Sequence, residues 1–233
     1  MSGDKKPMTY YPIFLDLKGK VILVVGGGRV AQRKVEALLD SGAEIRIVSS
    51  KLTESLNKLV ALRDLDCLND EFQDKHLEDV FLVIAATDDR ELNHRISDIA
   101  KKKGLLVNAV DQPSDCNFIV PSIVRQGDLQ IAVSTSGKSP ALARKLRKQL
   151  DKQFGDEYES FLILMGCLRK KILAQGLAQE ENSRIFNEIV NSDILDALLR
   201  KDRERTRSIL RRSLPDFPDL EECLECLTKR NAL

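Results

Sequence analysis

Three groups of residues in this sequence have the types and spacing to do chemistry. The first is the run Val24-Val25-Gly26-Gly27-Gly28-Arg29-Val30-Ala31. Within it, Gly26-x-Gly28-x-x-Ala31 has the spacing of a loop that holds a pyrophosphate: Gly26 permits a tight turn, Gly28 lets the backbone approach the phosphates, and the small Ala31 lets the following helix pack closely with its first N–H groups facing the anion. Arg29 and Val30, which open that helix, count with Gly26 and Gly28 as cofactor contacts. The second group lies at the ends of later apolar runs: Ser50 and Lys51 after one, Thr87 and Asp88 after another. The usual ribose-binding acid about twenty residues past the glycines is replaced here by Val48-Ser49-Ser50-Lys51. Hydroxyls can bond ribose oxygens and Lys51 can accept a 2′-phosphate, so NAD and NADP both remain open, with a slight lean to NAD. Thr87 is a plausible polar contact to a cofactor, and Thr87 or Asp88 capping the next helix is the compatible structural reading. The third is Asp111, a carboxylate just past another apolar run, where it can accept a proton or simply begin the Asp111-Gln112-Pro113-Ser114 turn.

These residues need elements to hold them. Ordinary loop glycines could produce the glycine pattern, but a strand before it and a helix after it set it apart. From Gly19 to about Val110 short apolar strands alternate with amphipathic helices, the pattern of a parallel sheet covered on both faces. Strands are expected at residues 21–25, 44–48, 65–68 (the weakest), 81–85 and 105–109, with a helix over 30–39 stopped by Ser41-Gly42. In such sheets ligands bind at the carboxyl ends of the strands, where Asp111 and the first two groups fall. Beyond Asp111, residues 118–121, 123–125 and 129–133 read as a trio of short strands, the last two parted by Gln126-Gly127-Asp128. From Pro140 the pattern is helical, over 141–154, 158–173, 180–190 and onward through Arg212. The expected architecture is α/β: a Rossmann-type NAD(P)-binding domain over 1–112, a strand-containing segment over 113–150 and a helical domain over 151–233.

Six segments taken together resemble one family: Tyr11-Pro12-Ile13-Phe14-Leu15-Asp16-Leu17, the 26–34 loop with Val30-Ala31-x-Arg33-Lys34, Ala85-Ala86-Thr87-Asp88-Asp89, Asn108-x-x-Asp111, Asn117-Phe118-Ile119-Val120-Pro121-Ser122, and residues 134–144 from Ser134 to Arg144. That family is the siroheme synthase amino-terminal module, precorrin-2 dehydrogenase/sirohydrochlorin ferrochelatase. The resemblance covers roughly residues 10–150 in order and spacing, and beyond about 155 extends only to helical character. It implies oxidation of precorrin-2 to sirohydrochlorin with NAD as hydride acceptor and, in some members, ferrous iron insertion to give siroheme, with iron as a substrate. It also implies a homodimer, intertwined through the segment after Asp111, and it places the catalytic aspartate at Asp111. An octacarboxylate tetrapyrrole calls for cations and backbone donors. Ser134, Thr135, Ser136, Gly137 and Lys138, ahead of a helix starting near Pro140, supply them, and Asn117 and Arg144 count as further substrate contacts. The same segment would serve to cap that helix, with Ser139 as cap and Pro140 at its first position.

Bulk composition narrows the rest. In 233 residues, 37 Lys and Arg against 36 Asp and Glu leave no global field to recruit nucleic acid or an anionic membrane. No apolar run approaches a membrane span, and the start Met-Ser-Gly-Asp-Lys-Lys lacks a signal peptide's apolar stretch, so a cytoplasmic enzyme is expected. With the chain ending at Leu233 no methyltransferase domain is expected to follow. His76 and His94 lack the neighbouring acids and thiols of a resident metal site, and none is expected. Five scattered cysteines read as reduced thiols, and Cys223-x-x-Cys226 lacks a second pair for zinc. The basic stretch from Arg200 to Arg212, interleaved with Asp202 and Glu204, reads first as a solvated helix face. The rival functions are a dehydrogenase without iron insertion, an oxidoreductase acting on another small substrate, and a non-catalytic NAD(P)- or tetrapyrrole-binding module, the last disfavoured by Asp111.

Overall fold

A computed structural model describes residues 10–229; the polar start at residues 1–6 lies outside them. The chain divides into two compact units, 1–120 and 121–233.

The first unit is a five-stranded sheet in the order β3-β2-β1-β4-β5: β1 Val21–Val25, β2 Glu44–Val48, β3 Asp66–Leu68, β4 Leu82–Ala85 and β5 Leu106–Ala109. All pairs are parallel, with Val25 in register with Val48 and Ala85, and Ala85 with Ala109. Central strands buried on both faces read as unbroken apolar runs; hence Ile22, Leu23 and Val24 are fully buried. One face packs Leu23, Val83 and Val107 against Ile96 and Ala100 of α3 (Arg90–Lys102), and the other packs Ile22, Val24 and Ile47 against Ala31 and Val35 of α1 (Arg29–Leu38) and Leu56 of α2 (Glu54–Arg63). The α3 cap is Asp89, which accepts from the N–H of Glu91 and Leu92. Neither Thr87 nor Asp88 takes that task, because Asp89 is the last extended residue before the helix and a cap must sit there.

The second unit begins with an antiparallel hairpin, β6 Ser122–Gln126 and β7 Leu129–Val133, turned by Gly127-Asp128. Gly127 has φ +58°, and a Cβ there would meet the Glu159 side chain at 2.5 Å. Six helices follow: α4 Pro140–Gln153, α5 Asp156–Ala174, α6 Gln179–Val190, α7 Ile194–Leu199, α8 Arg203–Ser213 and α9 Leu220–Lys229. Their core gathers Leu164, Leu168 and Ile172 of α5 with Ile189, Ile194, Leu210, Cys223 and Leu224. The basic stretch is largely ion-paired at the surface: Arg200 to Asp196, Arg205 to Asp193 and Asp196, Arg207 to Glu204 and Glu221.

One expected strand does not form. Residues 118–120 are not a strand: Phe118 packs on the α/β core, and the Asn117 N–H bonds Val107 O at 3.1 Å on the outer edge of β5. By their internal contacts, residues 113–120 fall in the first compact unit and the hairpin falls in the same unit as the helices.

Candidate nucleotide and proton-transfer site

Because every strand of the sheet points the same way, the segments after β1, β2, β4 and β5 emerge at one edge. The glycine loop follows β1. Gly26 has φ +122°, and a Cβ there would stand 2.4 Å from Ala86 O, so this glycine lets the β1 loop pass against the end of β4. At Gly27 a Cβ would lie 2.0 Å from Lys51 O, the tightest approach in the loop, and Gly27 O accepts from Thr53 N–H. Gly27 was not among the expected contacts, since the spacing rule names only its neighbours. Gly28 is different: a Cβ there would meet nothing within 4 Å, and it caps α1 without any side-chain hydrogen bond. The first turn of α1 thus has no side-chain cap on its N–H groups and no acidic side chain among them, and both features suit an anion. The residues fit a pyrophosphate there. Arg29 is exposed and Val30 half-buried against the core.

After β2, Ser50 and Lys51 are exposed. It is Ser49 that shapes the turn, its hydroxyl donating to Lys51 O at 2.9 Å. After β4, the Thr87 hydroxyl sits 2.8 Å from Asn93 Oδ1 and 3.0 Å from Asp89 O, while Asn93 Nδ2 donates to Thr87 O. Asn93, 2% exposed, thus anchors the loop that positions Thr87, and Asp88 is left exposed. Sequence reasoning missed Asn93 because nothing in its spacing marks it.

Asp111 follows β5, exposed, with φ +58°. For a non-glycine residue this backbone costs of order 1–3 kcal/mol and persists only where surroundings impose it. The surroundings are visible. Val110 N–H bonds Ala85 O on one side, and on the other a short 3-10 turn, Pro113–Asp115, is tied to α3. Asp115 is 6% exposed; its carboxylate accepts from Gln112 Nε2 at 3.0 Å and lies 2.9 Å from His94 Nδ1, while its carbonyl accepts from the Ser97 hydroxyl. The hydrogen bond and charge of Asp115, with Asp98 adding, raise His94 above the ordinary imidazole value. Gln112 Oε1 is buried without a donor among the described residues, and Cys116, which donates to Ala109 O, is pushed up by burial.

Asn117, expected to touch substrate, uses its side-chain amide on β5: Nδ2 donates to Leu105 O and Oδ1 accepts from Val107 N–H, both at 2.8 Å. In the second unit, Ser134 Oγ accepts from Ser136 N–H and Thr135 Oγ1 from Ser139 N–H. Ser136 and Gly137 have φ +51° and +77°. Ser139 caps α4 through Leu142 N–H, with Pro140 at its first position. Ser134, Ser136, Gly137, Lys138 and Arg144 are exposed. The polar loop 134–138 and Arg144 therefore belong to the second unit, and Asp111 to the first. Among the described residues no three His, Cys, Asp or Glu side chains are grouped to hold a metal ion, and no helix is long and apolar enough to cross a membrane.

Comparison with known proteins agrees with this geometry. Residues 13–122 match a family described as putative NAD(P)-binding, and residues 126–153 match one described as sirohaem biosynthesis protein, central. A siroheme synthase of Actinobacillus succinogenes is 37% identical over 203 residues, covering 87% of this chain and 43% of the relative. One from Neisseria meningitidis is 40% identical over 184 residues, 79% of this chain and 38% of the relative. The chain thus spans about two fifths of the length of these relatives. A solved structure described as SirC, precorrin-2 dehydrogenase, is 28% identical with a TM-score of 0.73, over 88% of this chain and 100% of that one. With the glycine loop, the sheet order and the matches on both sides of residue 122, the chain belongs to the siroheme synthase amino-terminal module family.

Proposed function

We propose that this protein is an NAD-dependent precorrin-2 dehydrogenase, oxidising precorrin-2 to sirohydrochlorin. The observation that carries the reading is the gathering at one sheet edge of an open helix N-terminus behind Gly28 and of Asp111 in an imposed left-handed backbone. When bound, the nicotinamide supplies the hydride acceptor. The protein's own share is then to seat the pyrophosphate on the α1 N–H groups and to take the proton that leaves a second carbon as the hydride departs the first; an exposed carboxylate after β5 is suited to that proton. NAD is preferred over NADP only slightly, since Lys51 offers a cation to a 2′-phosphate. Lys138 and Arg144, with the hydroxyls of Ser134, Thr135 and Ser136, are the groups we assign to the tetrapyrrole carboxylates.

A second activity, insertion of ferrous iron as substrate, is supported by the siroheme synthase relatives. Two pyrrole protons must then leave, and Asp111 is the base we assign to them as well. We also propose a homodimer in the cytoplasm: β6 and β7 form a two-stranded hairpin whose outward Ile123 and Ala132 pair in register and are exposed.

The test is an anaerobic absorbance time course with precorrin-2 generated in situ, adding NAD and then ferrous iron. NAD-dependent appearance of sirohydrochlorin, then siroheme formation faster than the no-enzyme control, is the expected result. Oxidation with iron insertion at the control rate makes the protein a dehydrogenase alone. Neither reaction with demonstrably active substrate rejects the enzyme reading in favour of a binding module.

A further inference from the structure

Three of the five cysteines, far apart in sequence, meet in the helical unit. Cys167 on α5 has its Sγ 3.1 Å from Cys223 Sγ, 56 residues away, and 3.1 Å from Cys226 Sγ, 59 residues away, both on α9. That is closer than the roughly 3.5–4.0 Å optimum of even non-bonded carbons, and about 1 Å of further approach separates it from the S–S bond length of about 2.05 Å. The juxtaposition is held from outside the cluster. Lys171, one turn along α5, bonds Glu222 Oε2 at 2.6 Å and lies 3.3 Å from Asp219 Oδ1, and Arg207 of α8 grips Glu221 with two hydrogen bonds. Apolar packing of Leu164, Leu168, Leu220 and Leu224 around the thiols fixes the two helices in the same register. Cys223 is fully buried, while Cys167 and Cys226 are each partly open to solvent.

We propose that Cys167, Cys223 and Cys226 form an oxidisable three-thiol centre in which Cys167 closes a disulfide to Cys226, with Cys223 as the alternative partner, on reaction with a hydroperoxide. The Cys167 sulfur attacks the peroxide, the O–O bond breaks, and a sulfenic acid and one molecule of water or alcohol result. The second thiol then attacks that sulfur, the S–S bond forms and water leaves. The two sulfurs together give up two electrons, and the peroxide takes them. The product ties α9 to α5 covalently. Burial holds the Cys167 and Cys223 thiols above their ordinary value, so linkage accelerates as pH rises and more thiolate forms.

The experiment uses the whole chain, reduced with dithiothreitol, freed of it and exposed to a small excess of hydrogen peroxide. Remaining thiols are counted by titration, and non-reduced peptides are mapped by mass spectrometry. The expected result is loss of two thiols of five, a peptide joining Cys167 to Cys226, recovery with dithiothreitol, and Cys67 and Cys116 still open to alkylation. Cys226→Ser moves the link to Cys223, and Cys167→Ser abolishes it. Thiol loss spread evenly over all five cysteines overturns the proposal. So does irreversible oxidation without a link, or a Cys223–Cys226 link forming in Cys167→Ser at the rate of the unaltered protein.

Discussion

Asp111 and His94 are joined by the turn between them, yet they make opposite predictions. Asp111 is exposed and held in a left-handed backbone, so replacing its carboxylate removes a proton acceptor without removing packing. Asp111→Ala is expected to lose about 10²–10⁴-fold in turnover, the usual share of a general base, with NAD affinity by calorimetry unchanged; undiminished turnover rejects it as the base. His94 acts on stability instead. Its value is raised in the folded state by Asp115 and Asp98, against Lys101, so its contribution is fully present below the unfolded value of about 6.5 and is lost as pH rises through the higher folded value. The urea midpoint of His94→Gln should therefore fall below that of the unaltered protein at about pH 5–6 and converge with it at alkaline pH. A gap independent of pH would mean that the hydrogen-bond geometry matters and the charge does not.

At the scale of elements, the three glycines of the β1–α1 loop separate into two tasks. A Cβ at Gly26 or Gly27 meets backbone at 2.4 or 2.0 Å, whereas at Gly28 it meets nothing. Gly26→Ala should destabilise the protein by of order 1–3 kcal/mol in urea unfolding, its φ of +122° adding to the clash. Gly28→Leu should lower the unfolding midpoint less than Gly26→Ala, because φ −82° and ψ −176° suit any residue and only the poorer helix cap counts against it, while weakening NAD binding at least tenfold. Equal NAD affinity in Gly28→Leu would remove the pyrophosphate from this loop. The sheet was legible beforehand because strands buried on both faces leave uninterrupted apolar runs, and each observed strand begins within one residue of its expected start. The 118–120 segment misled because Phe118-Ile119-Val120 has a strand's composition, while long-range packing on the α/β core decides its conformation. The α3 cap was expected one or two residues early, at Thr87 or Asp88, because the sequence does not fix where the extended loop ends; Asp89 holds it. The meeting of Cys167 with Cys223 and Cys226 depends on α5 packing against α9, which no local pattern encodes.

For the whole molecule, near-cancelling charge leaves shape and apolar surface to decide association. A lone two-stranded hairpin is marginal in water, and its unpaired edges invite another chain. Here the inward side of the hairpin is satisfied, with Val124 fully buried, but the outward Ile123 is 43% exposed, and on α4 Leu142 and Leu146 are 46% and 37% exposed. A self-complementary contact between two copies, the commonest symmetry of soluble oligomers, would cover such residues. Replacing Ile123 and Leu142 with Glu places charges where a partner must exclude water, at little cost to a monomer because both positions already face solvent. Sedimentation equilibrium of the unaltered chain should return twice the chain mass, and the double variant should return one chain mass with an unchanged far-ultraviolet circular dichroism spectrum. A variant still at twice the chain mass moves the interface elsewhere, and an unaltered chain at single mass rejects the dimer.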